Sequence, residues 1–143
     1  MEEPFVFDGT PEENLKANSR IMSGRGRYKR LIKKYEDNLL SATAPMEAHF
    51  ITLGPVAFVS NQFELFQDFQ HRIQARSPYI QTFIVQLAAQ PEVNNGTYLP
   101  TERALEGRGF GASIYDNLVT PEAGQIIVEE TVKALCEMIE IDT

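Results

Sequence analysis

Few side chains in this sequence could hold a metal or act as a nucleophile, so each can be judged by its spacing. There are two histidines and one cysteine in 143 residues. Metal ligands must all converge to within about 2 Å of one ion. His71 follows Glu64 by seven positions, which is about 20° around a helix but about 10 Å along it, so the two cannot share an ion from within one helix. His49 stands beside Phe50 and Ile51 and reads as a structural histidine of a strand. Cys136 falls on an amphipathic segment and reads as a packed free thiol; without a second cysteine there is no intrachain disulfide.

Glu64 has a local role open to it. It stands three residues after Asn61, the spacing at which a carboxylate reaches back to the N–H of an Asn N-cap. Leu65, Phe66, Phe69 and Ile73 then recur at helical intervals, with Gln67, Asp68, Arg72 and Arg76 between them, and Pro78 predicts a helix end near Ser77. Residues 79–87 (YIQTFIVQL) are β-branched and aromatic, and the run Phe83-Ile84-Val85 predicts a central strand covered on both faces. Residues 89–97 read as a loop, in which Asn95-Gly96-Thr97 is a formal glycosylation sequon. Thr101 to Leu105 then read as a short helical turn. Gly107, Gly109 and Gly111, alternating with Arg108 and Phe110, predict a loop that passes close to another backbone or a ligand. Gly24-Arg25-Gly26 lacks the glycine spacing and the preceding strand of a phosphate cradle.

Three strings carry a resemblance. NQFELFQDFQHRIQARSPYIQTFIVQLA, TYLPTERALEGRGFGA and PEAGQIIVEETVKAL, in this order and spacing, resemble the C-terminal part of the catalytic domain of neutral/alkaline non-lysosomal ceramidases, over about Ile51 to Leu135. The resemblance implies a zinc amidohydrolase that cuts the N-acyl bond of ceramide, with the metal held by two histidines, a glutamate and a tyrosine. It places the glutamate at Glu64 and the tyrosine at Tyr98, and puts Arg108, Gly109 and Phe110 on the substrate rim. Gln62 and Thr97 depart from the proline or glycine that the family favours at those points. The two histidines belong to a portion that the resemblance does not cover. It therefore implies a fragment-like chain that is inactive alone, binds zinc weakly if at all, and needs a separate polypeptide or an upstream segment for its histidines. It also implies that Glu64 and Tyr98 lie side by side at one end of the sheet.

These residues must be positioned by a modest set of elements. Thr10-Pro11-Glu12-Glu13 predicts a helix start after a loose arm at residues 1–9, and the glycines at 24 and 26 predict a break. A second stripe follows at Tyr28, Ile32, Tyr35 and Leu39. Residues 48–53 and 56–59 predict a hairpin turning at Gly54-Pro55. Thr120-Pro121-Glu122 starts a last helix with an apolar stripe at Val128, Val132, Leu135 and Ile139. The expected fold is one α/β domain over residues 1–143, a small mixed sheet with flanking helices.

Composition narrows the partners. With 43% hydrophobic residues the chain can bury a core, and its net charge of −7 disfavours general nucleic-acid binding. Seven of the 13 Lys and Arg residues lie between Arg20 and Lys34. They read mainly as a solvated helix face, with docking on anionic lipid as an alternative. No stretch has the roughly 20 apolar residues of a membrane span, and Met1 to Phe5 begin no signal peptide, so the sequence as written implies a cytoplasmic location. Unpaired sheet edges and apolar surface predict self-association, most simply as a homodimer. A non-catalytic scaffold or oligomerisation module is the alternative function.

Overall fold

The computed structural model describes residues 5, 7–37, 43, 45–88, 97–113, 115–117 and 119–141. Its contacts gather into two compact units, Met1–Ala42 and Thr43–Thr143.

The first unit is built on helix α1, Pro11–Glu36. Its start follows from the sequence: Glu13 N–H donates to Thr10 Oγ1 at 3.3 Å, and Thr10 N–H donates to Glu13 Oε2 at 2.8 Å. The backbone bond from Thr10 holds the Glu13 carboxyl below the usual range. The expected break at Gly24 and Gly26 does not occur. Two glycines weaken a helix but do not stop one that is capped at its start and braced by Lys16–Glu12 and Lys33–Asp37 ion pairs at 2.7 and 2.8 Å. Phe5, expected in a loose arm, exchanges hydrogen bonds with the Asn18 amide and lies under the Arg25 guanidinium. No residue of α1 is buried.

The second unit is α/β: a small mixed sheet with flanking helices. Strands β1 (Phe50–Leu53) and β2 (Val56–Ser60) form the expected hairpin, and Gly54 supplies the positive φ of its first loop position. Strand β4 (Gln81–Val85) pairs with β2 in parallel, which makes the sheet order β1-β2-β4. The central strand of the three is thus β2, whereas β4 had been expected there. Nor is β4 covered on both faces: Thr82 and Ile84 turn inward, while Phe83 and Val85 face solvent.

The helix expected from Asn61 begins only at Gln67. Helix α2 is Gln67–Arg76, and residues Glu64–Leu65 form strand β3 instead. The Asn61 side chain caps no helix; its Oδ1 accepts from Phe63 N–H at 2.9 Å, a local turn that satisfies the amide without one. Strand β5 (Tyr98–Leu99) pairs with β3 in parallel. The short helix α3 (Glu102–Glu106) and the long α4 (Pro121–Ile141) follow, both starting where the sequence indicates. Val128, Val132 and Leu135 are buried and Ile139 packs against the core, so the α4 stripe stands as expected. The loop over residues 89–96, with its sequon and Gly96, lies outside the described residues. Among those described, no helix is long and apolar enough to cross a membrane.

One core joins the inner face of the sheet to α2 and α4, through Val59, Phe63, Phe69, Ile73, Val128 and Leu135. Gly124 of α4 lets that helix approach, because a Cβ there would run into the Phe69 ring. Arg76 of α2 grips Glu129 of α4 with two bonds of 2.7 Å, and that guanidinium holds the Glu129 carboxyl below its usual range.

The glycines therefore make opposite predictions. Gly124→Ala should destabilise the fold by about 1–3 kcal/mol, since Phe69 is buried and cannot give way. Gly24→Ala or Gly26→Ala, whose Cβ atoms would enter open space, should stabilise α1 by about 1 kcal/mol each. Thermal and urea unfolding followed by circular dichroism reads both signs.

Candidate functional site

The pairing of β3 with β5 puts Glu64 directly beside Tyr98, and Leu65 beside Leu99. Side chains alternate along a strand, so the two leucines and the two polar residues project to opposite sides. Leu65 and Leu99 are buried, at 5% and 0% exposure, which fixes the register; a slip by one residue would bury the carboxylate and phenol instead. Glu64 N–H donates to Thr97 O and Phe66 N–H to Leu99 O, both at 3.1 Å. On the other edge of β3, the Gln86 amide imitates a strand: its Oε1 accepts from Leu65 N–H at 2.9 Å and its Nε2 donates to Leu65 O at 3.2 Å.

The Tyr98 hydroxyl donates to the Glu64 carboxylate. That bond is the main reason the phenol is raised above its ordinary value; desolvation, the Glu64 charge and the nearby Asp116 charge push the same way. The ring is held on several sides. Phe66 and Phe110 meet it edge-on, with centroids at 6.4 and 5.7 Å. The backbone at Gly111 lies on its face, where a Cβ would come within 2.5 Å of Cγ, and Gly111 has φ +74°. The close approach expected of the glycine-rich turn is thus an approach to Tyr98.

Glu64 is half-buried in a strand and does not cap a helix, so its expected local role is absent. Phe110 stands over Tyr98 with 86% of its surface exposed; Arg108, at φ +51°, and Gly109 are exposed on the same turn. His71 is exposed on α2. His49 lies just before β1, its Nδ1 3.2 Å from Ser60 Oγ and its Nε2 3.1 Å from Glu47 Oε1. Among the described residues no three His, Cys, Asp or Glu side chains gather to hold a metal. Two oxygen donors side by side, one anionic and one phenolic, fit half of a zinc ligand set and leave the rest to be supplied.

Three contributors were not singled out in the sequence: Asp116, Phe66 as a packing ring, and Gln86. Asp116 accepts from Ser113 Oγ at 2.7 Å, and that Ser-x-x-Asp spacing is a signal that could have drawn attention to it. A separate open cleft of about 580 Å³ lies between the starts of α3 and α4 and the body of α2, and its lining includes neither Glu64 nor Tyr98. Its two guanidiniums are engaged, Arg103 with Asp68 at 2.9 Å and Arg72 with Gln125.

Removing the acceptor should release the phenol. In Glu64→Gln the Tyr98 hydroxyl should titrate closer to the ordinary tyrosine value of about 10, read by NMR of ring-labelled tyrosine with Tyr98→Phe as the assignment control. Gly111→Ala should have the same effect by displacing the ring. Because the folded phenol is raised, the stability this bond contributes is present below the unfolded tyrosine value and is lost as pH rises through the folded one. The difference between wild type and Glu64→Gln should therefore shrink only in that alkaline window. Compared with known proteins, the chain matches no family model, no curated protein and no solved structure.

Proposed function

We propose that Glu64 and Tyr98 are the two oxygen ligands of a zinc amidohydrolase site of the ceramidase type, whose histidines come from an upstream segment or a separate polypeptide. The observation that carries this reading is the pairing of these two residues across β3 and β5. Bound zinc would supply an acidified water and polarise an amide carbonyl. This chain's part is to hold the donors: the leucines beneath fix the register, Gly111 and Phe110 orient the phenol, and Glu64 takes its proton bond. A cation at this place competes with that proton, so affinity for it rises with pH. Arg108, Gly109 and Phe110 line the rim on the substrate side of the pair.

A second reading, a non-catalytic association module, draws on a different observation: the outer face of the three-stranded sheet is apolar and open, with Ile51 and Leu53 63% and 73% exposed. A homodimer belongs to this reading.

Zinc titration separates the two. Zn²⁺ added to tyrosine-labelled protein should shift the Tyr98 resonance at roughly millimolar concentrations, more readily at higher pH, and the response should vanish in Glu64→Gln. The chain alone should release no fatty acid from a fluorogenic ceramide analogue. Turnover by the chain alone, abolished by a chelator, would mean that a complete ligand set is present here. A Tyr98 resonance indifferent to zinc would sink the half-site and leave the association module.

A further inference from the structure

The outward face of the β1-β2-β4 sheet can be read row by row from its register. Leu53 pairs with Val56 and Val56 with Gln81; Ile51 pairs with Phe58 and Phe58 with Phe83; Ser60 pairs with Val85. None of these eight positions is charged, in a chain of net charge −7. Phe58 and Phe83 stack at the centre, 5.1 Å apart and 16° from parallel. His49 and Ser60, joined at one end, give the patch a polar border. Leu53, Ile51, Phe83 and Val85 are 73%, 63%, 46% and 45% exposed. The sequence of β4 is that of a strand with two covered faces, and the chain covers one of them.

We propose that this face binds a second copy of the same chain, face to face, across a twofold axis that runs along the strands. Charge selects that occupant. A lipid surface or an oppositely charged partner would be recognised through charged side chains on the face, and none of its eight positions carries one. Two copies that repel each other over most of their surface can meet where there is no charge to oppose. An axis along the strands lays β1 of one copy over β4 of the other, row on row, so Ile51 meets Phe83 and Leu53 meets Gln81 while Phe58 lies over its own twin. Aligned sheets about 10 Å apart interdigitate in this way.

Size sets the strength. Three strands of about five residues present a patch of about 14 by 17 Å, well below the roughly 800 Å² per partner of a standard stable interface. The dimer is therefore reversible and concentration-dependent. The proposal uses no property of Glu64 or Tyr98, and Glu64→Gln should leave it unchanged.

Sedimentation velocity across micromolar to millimolar protein tests it. Wild type should pass from monomer to dimer with concentration. Ile51→Lys or Phe83→Glu alone should weaken association by more than about tenfold, because each buries an unpaired charge. The double variant Ile51→Lys with Phe83→Glu should recover it, since the axis brings each new lysine against the other copy's glutamate. Circular dichroism checks that every variant is folded, and Leu15→Lys on the exposed face of α1 should change nothing. Wild type that stays monomeric, a dimer lost in Leu15→Lys but not in Ile51→Lys, or a double variant that stays monomeric would each overturn the proposal. So would a monomer that instead co-sediments with phosphatidylcholine and phosphatidylserine vesicles.

Discussion

The arrangement around Glu64 and Tyr98 depends on a parallel pairing only two residues long. A strand pair of that length has little strength of its own, and what holds it is the burial of Leu65 and Leu99 on the inner side. Burying two leucine side chains is worth about 1.5–3 kcal/mol each, more than the few backbone bonds of the pair contribute net. The polar residues are therefore placed by apolar ones. Glu64 and Tyr98 face each other because their neighbours cannot face water, and the Gln86 amide on the free edge of β3 keeps Leu65 from leaving its backbone groups unpaired.

That small pair is in turn carried by helices. Leu99 and Pro100 are fully buried, so β5 is anchored where it leads into Thr101, whose hydroxyl accepts from Ala104 N–H to start α3. On the other strand, Phe66 follows β3 directly and opens α2, which Gly124 allows α4 to approach. A change deep in the α2–α4 contact thus reaches the candidate site through rigid elements. The exposed Arg76–Glu129 and Arg103–Asp68 pairs add orientation more than stability, as surface ion pairs do.

How much of this could be read from the sequence depended on range. The starts of α1, α3 and α4 and the Gly54-Pro55 turn were legible because caps and turns are written within four residues. The α1 glycines misled because propensity is a weak prior against the other residues of a 26-residue helix. Asn61 and Glu64 misled for another reason. Their spacing suits a capping box, but Asn61 satisfies its side chain within three residues, and a long-range pairing with Tyr98 then draws Glu64 into a strand. No local pattern announces a parallel partner. The side-by-side placement of Glu64 and Tyr98 was expected from the resemblance alone, and their adjacency is visible in the structure.

The misreading of β4 is the most instructive of these. Phe83-Ile84-Val85 has the composition of a strand buried on both faces, yet β4 is an edge of its three-stranded sheet and turns Phe83 and Val85 to solvent. Composition and burial conflict only if the isolated chain is taken as the whole environment of the strand. A protein that leaves a three-row, largely apolar face open increases its tendency to associate, and edge strands increase it further. Lysine at such positions would remove the liability, and helix α1 shows that lysine and arginine are abundant elsewhere in the chain. Their absence from this face is what the proposed pairing of two copies requires, and the outer face of the sheet is therefore as specific a feature of this sequence as the carboxylate and phenol paired across β3 and β5.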